Sequence, residues 1–324
     1  MLAKDTGRIS TFDTAKGLCL LFIIAGHVGV RWMPYSAFAV RVMLFFVISG
    51  FFFSSDLQPK AFIVKKVKRL IIPFLCFYFL SYGVFYVSKY LLPDFETFTQ
   101  AKGILDLFNN KRLFNGPLWF LPVLFFVGII SYGIERLVSN EILRAVLFVI
   151  PGVAGYTLAA KCIDLPIFLD TALTAMPFFY SGILLRQTNF RKLPYKLICV
   201  FVVAILSFFI YSLFPFYADM AINRYDCSML RLFCVGYVIC AGYLSCAYLI
   251  SKYVPILNDV LGLIGYHSLY IMCTHHIVYR FFEYILSGYL NDGALTAAVF
   301  FFTFIICLST APLVEKYLPA LVGK

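Results

Sequence analysis

Charged residues are scarce in this sequence: they fill only 13% of 324 positions, against 62% hydrophobic and 19% aromatic ones. A soluble domain carries roughly twice that charged fraction. So few charges cannot cover a water-facing surface, so lipid must solvate much of the exterior. The ten cysteines include no CxxC pair and nearly all lie in apolar runs. Small buried hydrophobes are the reading, and neither a disulfide frame nor a metal site is expected. HExxH, the P-loop and the EF-hand are absent, and Ser49-Gly50 lacks the GxSxG frame of a hydrolase elbow. The segment Met1–Lys16 mixes Lys4, Asp5, Arg8, Asp13 and Lys16 without an apolar h-region, so no cleaved signal peptide is expected. Little chain follows the last apolar run, and no polar linker or internal repeat interrupts the rest. Any chemistry is expected within the membrane part.

What is present is a succession of apolar runs, each long enough to cross ~30 Å of hydrocarbon as a helix. Their approximate limits are 15–33, 36–55, 70–92, 117–135, 142–160, 167–186, 195–214, 230–251, 262–285 and 293–313. The expected fold is therefore all-α, a polytopic transmembrane helical bundle of about ten spans, as a single membrane domain over 1–324. The densest basic clusters are Lys65-Lys66-Val67-Lys68-Arg69 and the stretch from Arg186 to Lys196. Both fall on the cytoplasmic side if the N-terminus is inside, and an even span count puts the C-terminus inside too. Topology thus accounts for the net charge of +11, and no nucleic-acid partner is needed.

His27 lies within the first run. An ionisable residue in hydrocarbon is costly and marks a candidate site, although a bond to a neighbouring helix would also keep a histidine there. Lys16 stands eleven residues earlier, and eleven helical steps return to nearly the same face. The pair is then separated by about 16 Å along the axis, too far for direct pairing. That spacing suits a long ligand with an anionic end at Lys16 and its other end at the imidazole. Coenzyme A has this form, with phosphates at one end and a thioester at the other. Lys66, Lys68 and Arg69 supply further phosphate donors on the same side. Ordinary topology signalling remains the alternative account of those lysines.

The run from Arg8 to Lys16-Gly17, leading to Gly26-His27, and then Leu44 to Phe53, resembles the opening of the acyltransferase family 3 membrane enzymes, in particular the fucose 4-O-acetylase-like branch. Lys66-Val67-Lys68-Arg69 with Pro73 is similar to the family's basic RxxR stretch, with lysine in place of the first arginine. Gly116 to Leu121, Leu169-Asp170 through Phe178-Phe179 to Gly182, and Ser268 to His275 resemble later motifs, so that the likeness covers most of the chain. The resemblance implies that His27 is the catalytic base and that acyl-CoA, most simply acetyl-CoA, is the donor. It also selects Asp170 and His275 as catalytic candidates. His276 stands about 100° round the helix from His275, so only one of the two is expected to face the site. Asp13 and Trp119 are candidates for contact with the acceptor.

The expected reaction is O-acyl transfer from acyl-CoA to a sugar hydroxyl of a cell-surface glycan or its lipid-linked precursor, in a bacterial inner membrane. No metal is expected, and the partners are the acceptor and membrane lipids. The alternative from another class is a transporter or flippase of a lipid-linked saccharide, with His27, Asp170 and His275 on a proton-coupled path.

Overall fold

The structure is a computed structural model that describes residues 10–29, 40–91, 113–188 and 216–324, with isolated positions 105, 107–108, 202 and 205–206. It is nearly all helical: α1 (Ser10–His27), α2 (Met43–Phe51), α3 (Pro59–Leu91), α4 (Phe120–Leu137), α5 (Glu141–Ala160), α6 (Leu169–Gln187), α7 (Met229–Tyr253), α8 (Pro255–Tyr266), α9 (Ser268–Leu286) and α10 (Asp292–Tyr317). A short antiparallel pair, β1 (Ala218–Asp219) with β2 (Arg224–Tyr225), precedes α7, with Ala218 facing Tyr225 and Asp219 facing Arg224.

Among the described residues, α3, α4 with its leading turn, α5, α6 with its leading turn, α7 and α10 are long and apolar enough to cross a membrane. The pair α8 and α9, bent by 79°, makes a seventh if it is one broken span. These correspond to seven of the ten expected runs. α1 is 18 residues long but carries Asp13, Lys16 and His27, and their polarity keeps it out of that set. Among the described residues of 36–55, nine, Met43–Phe51, wind as α-helix, about 14 Å of rise. Most of 195–214 lies outside the described residues.

Two pairs of glycines let helix backbones approach closely. On α1 and α8, a Cβ at Gly17 would strike the carbonyl of Leu261, and one at Gly265 the carbonyl of Asp13. On α2 and α6, Gly50 meets the Phe179 carbonyl and Gly182 the Val47 carbonyl. Small residues serve this purpose between membrane helices, where lipid supplies no hydrophobic drive and close van der Waals contact holds the pair. Hydrogen bonds reinforce α1 against its neighbours: Thr14 Oγ1 donates to Asn258 Oδ1 (2.7 Å), and Thr11 pairs with Ser251 (3.2 Å). Buried Arg41 donates to the Phe22 carbonyl at 3.0 Å. The helix carrying Lys16 and His27 is therefore fixed along its length.

α1 stops just after its histidine. Gly29 adopts φ +81°, a left-handed conformation that a helix C-terminus commonly uses, and the Gly29 N–H donates to the Gly26 carbonyl (3.2 Å).

Candidate active site

Two cavities meet inside the bundle. The first, about 480 Å³, has a basic wall formed by Lys16, Lys65, Lys66, Arg69 and Lys324. The second, about 210 Å³, is lined by His27, His275, His276, Trp119 and Asp219. Phe45, Phe120 and Met272 line both. A basic mouth thus adjoins a histidine chamber, and α1 runs from one to the other with Lys16 and His27 about 16 Å apart along its axis.

The local sequence explains the mouth. α3 contains five residues of wider π-helical winding, Val67–Ile71, and such bulges re-aim side chains at functional sites. Lys66 and Arg69 line the cavity, whereas Lys68 is exposed and does not. Lys68 is two residues from Lys66, nearly opposite on the helix. The Lys66 ammonium lies over the rings of Phe62 (5.5 Å) and Phe53 (5.9 Å), a cation–π seat that holds the charge inward. Gly128 on α4 leaves room for it, since a Cβ there would come within 3.1 Å of Lys66 Nζ. Lys16 pairs with Asp13 at 2.6 Å, which places Asp13 at the mouth rather than in the histidine chamber.

The C-terminal residues complete this mouth. The turn Pro319–Val322 leads to Gly323 (φ +70°), which packs against the Arg69 carbonyl. Lys324 donates to Tyr266 Oη (3.0 Å) and pairs with Glu315, which also pairs with His267 (2.8 Å). Lys65 and Lys324 are site residues that the motif reading missed. Lys65 reads as topology charge, and only the fold back of the terminus reveals Lys324.

In the chamber the His27 ring lies 5.3 Å from that of His275 and 5.9 Å from that of His276, centroid to centroid, and stacks on Tyr279 at 6.2 Å. Both adjacent histidines of α9 therefore face the chamber, because it wraps around the helix edge instead of lying on one side. His275 is fully buried, and its Nδ1 lies 2.8 Å from the Ile271 carbonyl. A carbonyl only accepts, so Nδ1 carries the proton and Nε2 of the neutral ring presents a lone pair. That Nε2 is buried, with no hydrogen-bond partner among the described residues.

Trp119 reaches the chamber through Asn115, whose side-chain amide donates to the Cys273 carbonyl (2.6 Å) and ties the Gly116–Trp119 turn to α9. Asp219 arrives on the β-hairpin. Its Oδ1 accepts from the Ala221 N–H (2.9 Å) and its Oδ2 from the Tyr217 hydroxyl (3.4 Å). Burial raises its carboxyl above the usual range, and the Ala221 and Ile222 N–H groups and the Tyr217 hydroxyl oppose that rise. Sequence reading passed over Asp219 because it sits in a polar connection with no periodic pattern.

Asp170 lines neither cavity. It is buried at the start of α6, where it accepts from the Leu165 N–H (3.4 Å). One turn on, Thr174 donates to Asn223 Oδ1 (3.0 Å), and Asn223 donates to the Gly155 carbonyl (3.1 Å). Tyr156 donates to the Cys227 carbonyl (2.5 Å). Asp170 joins this junction through its backbone carbonyl, which accepts from the Thr174 hydroxyl (3.2 Å). Among the described residues no group of His, Cys, Asp and Glu is arranged to hold a metal ion.

A family model described as an acyltransferase domain matches residues 9–312. No curated protein and no solved structure matches the chain.

Proposed function

This chain belongs to the acyltransferase-domain family and is an integral membrane protein, and from that premise we propose that it moves an acyl group from acyl-CoA to a sugar hydroxyl, with His27 as general base. The carrying observation is the junction of the basic mouth with the histidine chamber along α1. CoA is elongated and anionic at one end. Its phosphates suit Lys16, Lys66 and Arg69, with Lys65 and Lys324 on the same wall, and its thioester then reaches toward His27. Lysine at position 66 keeps the charge but gives up the bidentate fork of arginine.

In this reading the acceptor hydroxyl attacks the thioester carbonyl carbon while a His27 ring nitrogen takes the hydroxyl proton. The C–S bond then breaks, and the proton passes from His27 to the departing thiolate. His275 receives a hydrogen bond at Nε2, from the His27 N–H or from the acceptor hydroxyl, and so orients one of them. As a neutral ring it has no N–H left for an oxyanion, which assigns it a positioning role. Trp119 and Asp219 suit a sugar: the indole offers a face for stacking and the carboxylate accepts hydrogen bonds from hydroxyls. Acetyl-CoA as donor, and as acceptor a glycan of the bacterial cell envelope or its lipid-linked precursor, made at the inner membrane, are what the family likeness favours.

The proposed topology has both termini in the cytoplasm. The start of α1 and Lys324 lie at the same end as Lys65 and Arg69, and basic residues favour the cytoplasmic face. Ten spans remain the proposal: the seven above, α1, 36–55 and 195–214.

The test is acetylation of envelope glycans by cells expressing the protein, read by mass spectrometry, together with acetyl-CoA consumption by the purified protein. Transfer that needs both acetyl-CoA and His27 supports the reading. Consumption of no acyl-CoA with a panel of glycans refutes it.

A further inference from the structure

A third and larger space borders the histidine chamber. It is a groove of about 840 Å³ between α3 and α9, floored in part by α10. Its walls are almost wholly apolar, and Phe79, Leu80, Val87 and Phe281 are each about half exposed. In a membrane-spanning bundle that exposure faces lipid. His276 lines both the groove and the chamber, so the two spaces share a wall.

Depth along α3 locates the groove. Arg69 is at the mouth, and Leu80 is eleven residues further on, about 16 Å of rise, the same as from Lys16 to His27. The groove therefore starts level with His27 and continues away from the basic mouth to Leu91.

A hydrophobic furrow alone would admit any chain, but this one holds a guanidinium beside the chamber. Arg280 lines it, pairs with Glu283 (2.7 Å) and lies over the Tyr279 ring (4.8 Å), which itself stacks on His27. A cation so placed disfavours a purely aliphatic tail such as the acyl chain of the donor. It complements an amphiphile with an anionic group where its chain meets its head.

We propose that this groove is the entry site of a lipid-linked acceptor, seating the chain of a phosphate-bearing lipid carrier with the phosphate near Arg280 and the attached saccharide passing His276 into the chamber. This rests on the acyl-transfer reading and sharpens its acceptor: a membrane-anchored precursor taken from the bilayer, not a finished polymer.

The probe is a polyprenyl phosphate bearing a diazirine, photolysed with the full-length protein in phosphatidylcholine nanodiscs. Labelling should map to 79–91 and 276–282 and be displaced by unlabelled polyprenyl phosphate but not by equal phosphatidylglycerol. Gly83 lines the groove with open space around it, so Gly83→Trp should fill it and abolish labelling, as should Val87→Trp. Both variants should bind radiolabelled CoA as the wild type does. Equal displacement by phosphatidylglycerol would make the groove an ordinary lipid contact, and stronger displacement by palmitoyl-CoA would assign it to the donor. Either result overturns the proposal, as does labelling that survives both tryptophans. CoA binding without labelling defeats this proposal alone, whereas labelling without CoA binding defeats the donor reading and leaves the groove assignment standing.

Discussion

Replacing Lys66 by Met should weaken CoA binding without unfolding the protein. Methionine retains most of the stem that packs beneath Phe53 and Phe62 and against Gly128, and it removes the ammonium with its charge and its donors. A hydrogen bond to a charged group contributes about 1.5–3 kcal/mol, which corresponds to about a 10- to 150-fold rise in Kd. Because Lys16, Lys65, Arg69 and Lys324 share the cavity wall, the lower half of that range is expected. The loss should shrink as salt rises, since part of the attraction is screened. Lys66→Arg, which restores a bidentate donor, should bind at least as tightly as the wild type. Calorimetry with CoA in detergent, repeated with pantetheine as the phosphate-free control, measures both variants. An unchanged Kd for K66M, or an equal loss toward pantetheine, would refute the placement of phosphates at this wall.

Gly265→Val should force α1 away from α8, costing about 1–3 kcal/mol of overpacking and lowering the melting temperature; a thermal scan unchanged from wild type contradicts the close crossing. His275→Ala should lower transfer by about 10-fold, less than the roughly 10²–10⁴-fold that a general acid–base group contributes, while CoA affinity holds, and His275→Asn, which keeps a donor toward Ile271 but not the ring lone pair, should not rescue it. Asp219→Asn should raise the acceptor KM more than it lowers kcat, read by initial rates at varied glycan; an effect confined to kcat would make Asp219 part of the chemistry. Lys68→Ala should leave CoA binding at the wild-type value, since its side chain is outside the mouth.

The helical class and most span positions were legible because long apolar runs admit few alternatives when lipid is the solvent. The relation of Lys16 to His27 was legible for a simpler reason: one unbroken helix converts sequence spacing directly into distance. Properties that depend on tertiary contact were not. That both His275 and His276 reach the chamber follows from how α9 sits against the end of α1, which a helical wheel cannot express. Asp219 and Lys324 come to the site on a hairpin and on a folded-back terminus, without periodicity to mark them. Asp170 shows the reverse case. Its motif match drew attention to a carboxylate that lines neither cavity and accepts at a helix start from the Leu165 N–H.

The claim on which the rest depends is that acyl transfer takes place at His27. Purified wild type and His27→Ala, matched for melting temperature and CoA affinity, are to be compared for transfer of radiolabelled acetyl from acetyl-CoA to acceptor glycans. With His27 as the base, transfer by the variant should fall by at least about 10²-fold. Transfer at the wild-type rate by His27→Ala would contradict it.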